Sequence, residues 1–255
     1  MKKNALLCLI ISFFLNLHLS AAVSNEKYFS ELFFQLSENS VSQQTILAGS
    51  LLALTALPFD RTINKKMTED RLLSAEWTHY GHAYLDNFFV LALLGGGALL
   101  KGNESGDYLT PVRYGASSLM ITTGATLLLK KVTGRQRPNG KPYSFPSGHT
   151  SITFCTASVL HSWYGPKAAI PAYSAAAFTA FSRMQDNYHW LSDVIFGAAL
   201  GIAIPHGLYQ ADKTNSKTTL RSIPLSINWT IDSVSYTHLR AHETVLDLVC
   251  RLLLE

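Results

Sequence analysis

Apolar segments closed by glycine or proline recur along most of this chain, and they constrain its fold more than any other feature. Thr45 to Leu57 is one, ended by Pro58; others run through roughly 84–101, 113–131, 148–163 and 168–182, and a last from about 189 to 209. Gly102, Gly134, Pro138, Gly140, Pro142, Pro146 and the Gly165-Pro166 pair punctuate the joints. The pattern predicts an all-α fold, a helical bundle of about five to six core helices. The apolar stretches are roughly 13–17 residues long, between the length of a buried core helix and that of a membrane span. They therefore leave open a membrane bundle, a peripheral one and a soluble one.

The N-terminus reads as a secretory signal over 1–22. Lys2 and Lys3 precede an apolar run from Ala5 to Leu19, and Ser20-Ala21-Ala22 forms a small-residue cleavage site. An uncleaved first membrane helix is the alternative; either reading exports the chain, and the two-lysine start suits a bacterium. Residues 23–83 are expected to hold N-terminal helices and a charged connector (Asp60 to Glu76), 84–210 the helical core, and 211–233 a polar tail with a loosely strand-like stretch from Ile223 to Ile231. The string from Val234 to Thr244 resembles translated sequencing-adapter DNA, as does Asp247 to Leu254. Residues 234–255 are thus expected to be a non-native tail, and His238, His242 and Glu243 are not read as a metal site.

Composition narrows the partners. Apolar residues make up 47% of the 255 and charged residues 15%, with a net charge of +4, so the chain is greasy and only mildly basic. Its basic residues are scattered apart from one cluster, and nucleic acid is not an expected partner. Cys155 is the one cysteine outside the signal and the suspect tail, which excludes a disulfide-stapled fold.

Three patches carry the chemistry. The first runs from Lys130 to Arg137-Pro138 at the end of one helical segment. The second is Pro146-Ser147-Gly148-His149-Thr150 at the start of the next. The third is Ser182-Arg183 followed by His189 and Asp193. Successive helices of an up-and-down bundle run antiparallel, so the 131–147 and 183–189 connections open at one pole. That pole gathers Lys130, Arg137, Arg183, His149 and His189. Such a cluster favours an anion, and phosphate suits both the arginine fork and a helix N-terminus at Ser147 and Gly148. His189 and Asp193 lie four residues apart, so the carboxylate can fix one imidazole nitrogen and leave the other to attack. His149 on the facing helix can then protonate the departing oxygen. Lys131 and Arg135 read as solvated, and His79, His82, His161 and His206 as structural. A zinc site through His149 and His189 lacks a supporting ligand pattern.

Together these residues match, in order and with intact spacing, the three motifs of the type 2 phosphatidic acid phosphatase superfamily, to which this chain bears a close resemblance. That superfamily includes lipid phosphatases, class A acid phosphatases and vanadium haloperoxidases. The resemblance implies a metal-independent hydrolase with no cofactor, working through phosphohistidine. It assigns Lys130, Arg137, Ser147, Gly148 and Arg183 to phosphate, His189 to nucleophilic attack, His149 to acid catalysis and Asp193 to His189. The expected function is phosphatase action on a phosphorylated lipid or lipid pyrophosphate at the periplasmic face of the inner membrane. A soluble periplasmic acid phosphatase acting on small phosphoesters, a vanadate-dependent haloperoxidase and a non-enzymatic anion-binding membrane protein are the alternatives.

Overall fold

A computed structural model describes residues 39–74, 76–78 and 87–215. The expected signal, the strand-like stretch and the adapter-like tail lie outside the described residues. Every regular element among those described is helical, as the segment pattern predicts.

The first helix, α1 (Ser40–Ala56), starts where Asn39 accepts a hydrogen bond from the Ser42 N–H at 2.9 Å, an ordinary N-cap. Pro58 does not break the chain into a connector as expected. Leu57–Phe59 forms a 3₁₀ turn, and the path continues directly into α2 (Asp60–Glu69). Proline is tolerated in a first helical turn, where its missing N–H has no partner to lose. Asp60 then stands at the start of α2, where a carboxylate suits the helix dipole.

The remaining helices are α3 (Asn87–Ser105), α4 (Leu109–Thr133), α5 (Gly148–Tyr164), α6 (Pro166–Gln185) and α7 (Leu191–Asn215). Gly134, left-handed at φ 55°, ends α4 by returning its N–H to the Lys130 carbonyl. α5 and α6 are joined by Gly165 alone, so they form a tight antiparallel hairpin. At one end the core gathers Val90, Leu94, Tyr114, Val159, Trp163, Leu200, Ile204 and Leu208. Tyr114 Oη is satisfied there by Ser162 Oγ and the Pro205 carbonyl, both at 3.0 Å.

α7 is the axis of the bundle, and small residues let it serve as one. Against α5 it runs parallel: a Cβ on Gly197 would come within 2.8 Å of the Ser147 carbonyl, and one on Gly201 within 2.4 Å of the Ser151 carbonyl. Two glycines four residues apart thus seat one helix backbone on another, a packing mode common where no water drives helices together. On another side Gly49 of α1 meets Ala199, and Ser42 Oγ donates to the Ala203 carbonyl at 2.8 Å.

Apolar surface is left outside. Leu47, Leu51, Leu52 and Leu54 of α1, Leu99 and Leu100 of α3, and Leu127, Leu128 and Val132 of α4 are all more than half exposed. Two helical stretches are long and apolar enough to cross a membrane, Ser40–Glu69 and Leu191–Tyr209, and their windows are 22% and 67% buried respectively. The second is the packed centre of the bundle. The first turns most of its apolar side outward, which in water would be a large exposed patch.

Candidate active site

The C-terminal ends of α4 and α6 and the N-terminal ends of α5 and α7 meet at one pole, with α2 laid beside them. The backbone holds this pole together before any side chain acts: Ser147 N–H donates to the Asp193 carbonyl at 3.0 Å, and Tyr188 N–H to the Arg183 carbonyl at 3.1 Å.

Lys130, in the last turn of α4, donates through Nζ to the Tyr143 carbonyl at 2.8 Å, and its Cε lies 3.6 Å from where a Gly148 Cβ would stand. The ammonium therefore sits beside the first turn of α5, whose leading N–H groups point out of the helix end. Burial, reinforced by Arg137, lowers the Lys130 pKa to about 8. Arg183 is 2% exposed and lies with its guanidinium carbon 4.0 Å from the centre of the Tyr188 ring; Arg137 approaches the same ring at 6.0 Å. Burial lowers the Arg183 pKa to about 10, a value at which it is fully charged near neutrality. The Ser147 hydroxyl is buried and accepts from Thr150 Oγ1 at 2.9 Å. His149 is the second residue of α5, half-buried at the same pole.

His189 precedes α7 rather than lying within it, and is 2% exposed. Burial is the main reason its pKa falls to about 4, with Lys130 and Arg137 adding to the effect and Asp193 opposing it. The imidazole is therefore neutral at physiological pH, with a lone pair available. Its Nδ1 stands 3.6 Å from Asp193 Oδ2, a charge-pairing distance longer than a hydrogen bond. Among the described residues Nδ1 has no hydrogen-bond partner.

Asp193 is buried completely and held from several directions. Oδ2 accepts from the Trp190 N–H at 2.9 Å and from the Ser144 hydroxyl. The first of these is a helix-capping contact, the third residue of α7 reaching back to the residue before the helix. Oδ1 accepts from Arg135 Nη1 at 2.6 Å.

Arg135 is the correction to the sequence reading, which left it solvated. Its guanidinium is only a quarter exposed and bridges two carboxylates, Asp193 through Nη1 and Asp60 through Nη2, each at 2.6 Å. Nη1 also donates to Ser192 Oγ at 2.7 Å. Asp60, 2% exposed, accepts in turn from the Ser192 N–H at 2.9 Å and from Ser192 Oγ at 2.5 Å. A carboxylate from α2 thus caps the start of α7 and holds the arginine that holds Asp193. Sequence reasoning missed Asp60, Ser144 and Ser192 as well. The only signal for Asp60 was an acid placed immediately after an apolar segment.

Lys131 is exposed as expected, over the Tyr143 ring at 4.9 Å. His161 and His206 line a separate cavity of about 230 Å³ with Ser158, Ser162 and Tyr173, in the body of the bundle. No group of three or more histidine, cysteine or acidic side chains able to hold a metal occurs among the described residues.

The site thus sets three cations and a helix N-terminus around a neutral, buried imidazole, with a carboxylate behind it that is fixed by an arginine. Residues 112–217, which include all of these groups except Asp60, match the family model described as the PAP2 superfamily. Over that segment the helical core is similar to a PAP2 domain. A curated relative, the lipid A 1-phosphatase of Porphyromonas gingivalis, is 44% identical over 75 residues, covering 28% of this chain and 17% of that protein. The match thus spans less than a fifth of the relative's length. The crystal structure of LpxE from Aquifex aeolicus shares the fold, with a TM-score of 0.51 at 20% identity, covering 60% of this chain and 95% of that one. α1 and α2, which supply Asp60, precede the matched PAP2 segment.

Proposed function

We propose that this chain is a PAP2-type lipid-phosphate phosphatase that acts through a phosphohistidine at the periplasmic face of the bacterial inner membrane. The observation that carries the reading is His189: a buried imidazole, neutral near pH 7, backed by Asp193 and overlooked by Lys130 and Arg137.

The geometry implies the following chemistry. Lys130, Arg137 and Arg183, with the first-turn N–H groups of α5 at Ser147 and Gly148, bind the phosphoryl oxygens. They act most strongly on the charge spread over those oxygens in the transition state. Asp193 faces Nδ1, so Nε2 of His189 attacks. The Nε2 lone pair forms the P–N bond while the P–O bond to the leaving group breaks, and His149 gives its proton to the departing oxygen. Asp193 stabilises the positive charge on the phosphorylated ring; catalytic hydrogen bonds commonly tighten as substrate binds, and the 3.6 Å contact is placed to do so. Water then attacks phosphorus, His149 accepts its proton, and the P–N bond breaks to release phosphate and neutral His189. No step requires a metal ion.

A lipid substrate is supported by the surface. The leucines of α1 and α4 face outward, while α2 at the site's pole carries Arg61, Lys65, Lys66 and Glu69 exposed. A bundle embedded to that depth brings a headgroup to the cationic pole while its chains stay in the bilayer. The name of the Porphyromonas gingivalis relative points the same way.

The test is phosphate release by the purified, detergent-solubilised chain, with EDTA present, on lipid phosphates and on p-nitrophenyl phosphate, beside His189→Ala. Turnover that resists EDTA, prefers lipid and vanishes in the variant is expected. Full activity in His189→Ala refutes the nucleophile, and preference for the small ester refutes the lipid assignment. A folded wild type inert on both substrates refutes the phosphatase reading and leaves vanadate-dependent bromination as the next assay.

A further inference from the structure

One aromatic ring at the pole lies against two cations that come from different elements. Arg137 belongs to the loop after α4 and Arg183 to the last turn of α6. The Arg183 guanidinium carbon stands 4.0 Å from the centre of the Tyr188 ring and that of Arg137 stands 6.0 Å from it. We propose that Tyr188 is a positioning residue, a clamp that holds Arg183 and Arg137 in register so that they share one tetrahedral oxyanion. The inference rests on the reading of both arginines as phosphate ligands and says how they are kept in place.

The clamp answers a physical difficulty. Two guanidiniums that converge on one site repel each other until an anion arrives, and Arg137 is close enough to be felt at Arg183 as a like charge. The negative face of an aromatic ring attracts both, and the attraction is strongest where water is excluded. Arg183 is 2% exposed and in contact with the ring, so the face restricts how its planar fork can turn. Arg137 lies at the outer limit of such an interaction and has a second hold, its Nε donating to the Pro142 carbonyl at 3.2 Å.

The ring is itself set from outside the motifs. Tyr188 N–H donates to the Arg183 carbonyl at 3.1 Å, which closes a turn, and within it Asn187 is left-handed at φ 63°, a conformation asparagine tolerates better than most residues. Each of the three residues ahead of Tyr188 is tied to α2 or to the segment just after it. Leu73 N–H donates to Gln185 Oε1 at 3.1 Å, Arg71 Nη2 to Asp186 Oδ1 at 2.7 Å, and Asn64 Nδ2 to Asn187 Oδ1 at 2.8 Å. Asn64, Arg71 and Leu73 all precede the segment that matches the family model. Phosphate affinity is thus set in part by the N-terminal helices, through the turn that carries Tyr188.

The experiment titrates orthovanadate, a tetrahedral oxyanion, into the detergent-solubilised full chain by isothermal calorimetry. Tyr188→Leu keeps the apolar bulk and loses the π face, so affinity should fall about tenfold, whereas Tyr188→Phe keeps the face and should stay within about threefold of wild type. Asn187→Gly keeps the left-handed backbone but drops the link to Asn64, and should weaken binding about threefold. A double-mutant cycle separates a clamp from general packing. Lysine lacks the planar fork, so in an Arg183→Lys background the loss caused by Tyr188→Leu should shrink to within about twofold. Wild-type affinity in Tyr188→Leu, a Tyr188→Phe as weak as Tyr188→Leu, or a loss undiminished by Arg183→Lys overturns the proposal. If Tyr188→Leu does not fold, wild-type affinity in Asn187→Gly overturns it instead. A wild type that binds no vanadate overturns the phosphate-site reading as well, whereas vanadate bound alike by all variants overturns the clamp alone.

Discussion

Replacing Asp60 by alanine should weaken both the fold and catalysis, although Asp60 lies outside the three motifs and is not placed on the phosphate. Its carboxylate accepts from Arg135 Nη2, Ser192 N–H and Ser192 Oγ. Removing it leaves the Ser192 N–H buried without an acceptor, at about 1–3 kcal/mol. The lost contact to Arg135 adds about 1 kcal/mol, discounted because that guanidinium is a quarter exposed and keeps Asp193. The total, about 2–4 kcal/mol, corresponds to a fall in Tm of about 10 °C for a chain of this size. Arg135, freed on one side, no longer pins Asp193 Oδ1. We expect kcat to drop about tenfold, or about 1.4 kcal/mol in the barrier, with KM nearly unchanged because the cations proposed to bind phosphate are untouched. Thermal unfolding and steady-state phosphate release on one preparation read both effects. Asp60→Asn should fall between wild type and Asp60→Ala, and a double-mutant cycle with Arg135→Lys should show coupling above about 1 kcal/mol. A wild-type Tm together with a wild-type kcat would refute the reasoning. A rise in KM without change in kcat would move Asp60 from positioning Asp193 to binding substrate.

Three further outcomes follow from the same geometry. The profile of kcat/KM against pH should be a bell: activity is lost below about pH 4 as His189 takes up a proton, and above about pH 8 as Lys130 releases one. Lys130→Arg should move only the alkaline limb upward. Ser144→Ala, which removes the hydroxyl donated to Asp193 Oδ2, should reduce kcat about threefold to tenfold with little change in Tm, measured by the same two assays. Gly197→Ala sets a Cβ 2.8 Å from the Ser147 carbonyl, so α5 and α7 must separate; stability should fall by about 1–3 kcal/mol in thermal unfolding.

The sequence reading located the helices of the core well because Gly134, Gly165 and Pro166 mark real joints, and because the apolar segments between them have a helix's length. Lys130, Arg137, Ser147, Gly148, Arg183 and His189 were legible as a group since each motif is compact and the antiparallel order of α4 to α7 alone brings their ends to one pole. α2 was not legible: five charged side chains after Pro58 resemble a solvated connector, and nothing local tells that Pro58 sits in a 3₁₀ turn that keeps the chain helical. Arg135 failed for the opposite reason. In a run of basic residues its charge suggested water, and its carboxylate partners lie 58 and 75 positions away in the chain. The packing of α1 along α7, with Gly49 against Ala199, helps carry Asp60 to it.

The seating of Gly197 and Gly201 on the α5 backbone also has a mechanical meaning. His149 rides on α5 and His189 on the leading edge of α7, so the two imidazoles are mounted on a single strut whose halves cannot slide past each other. Whatever opening admits a substrate must come from parts hinged outside that strut. The C-terminal turn of α2, beyond the end that Asp60 ties to α7, fits this description, with Arg71 just after it paired to Asp186. The chemistry then stays on a rigid frame while the clasp beside it does the moving.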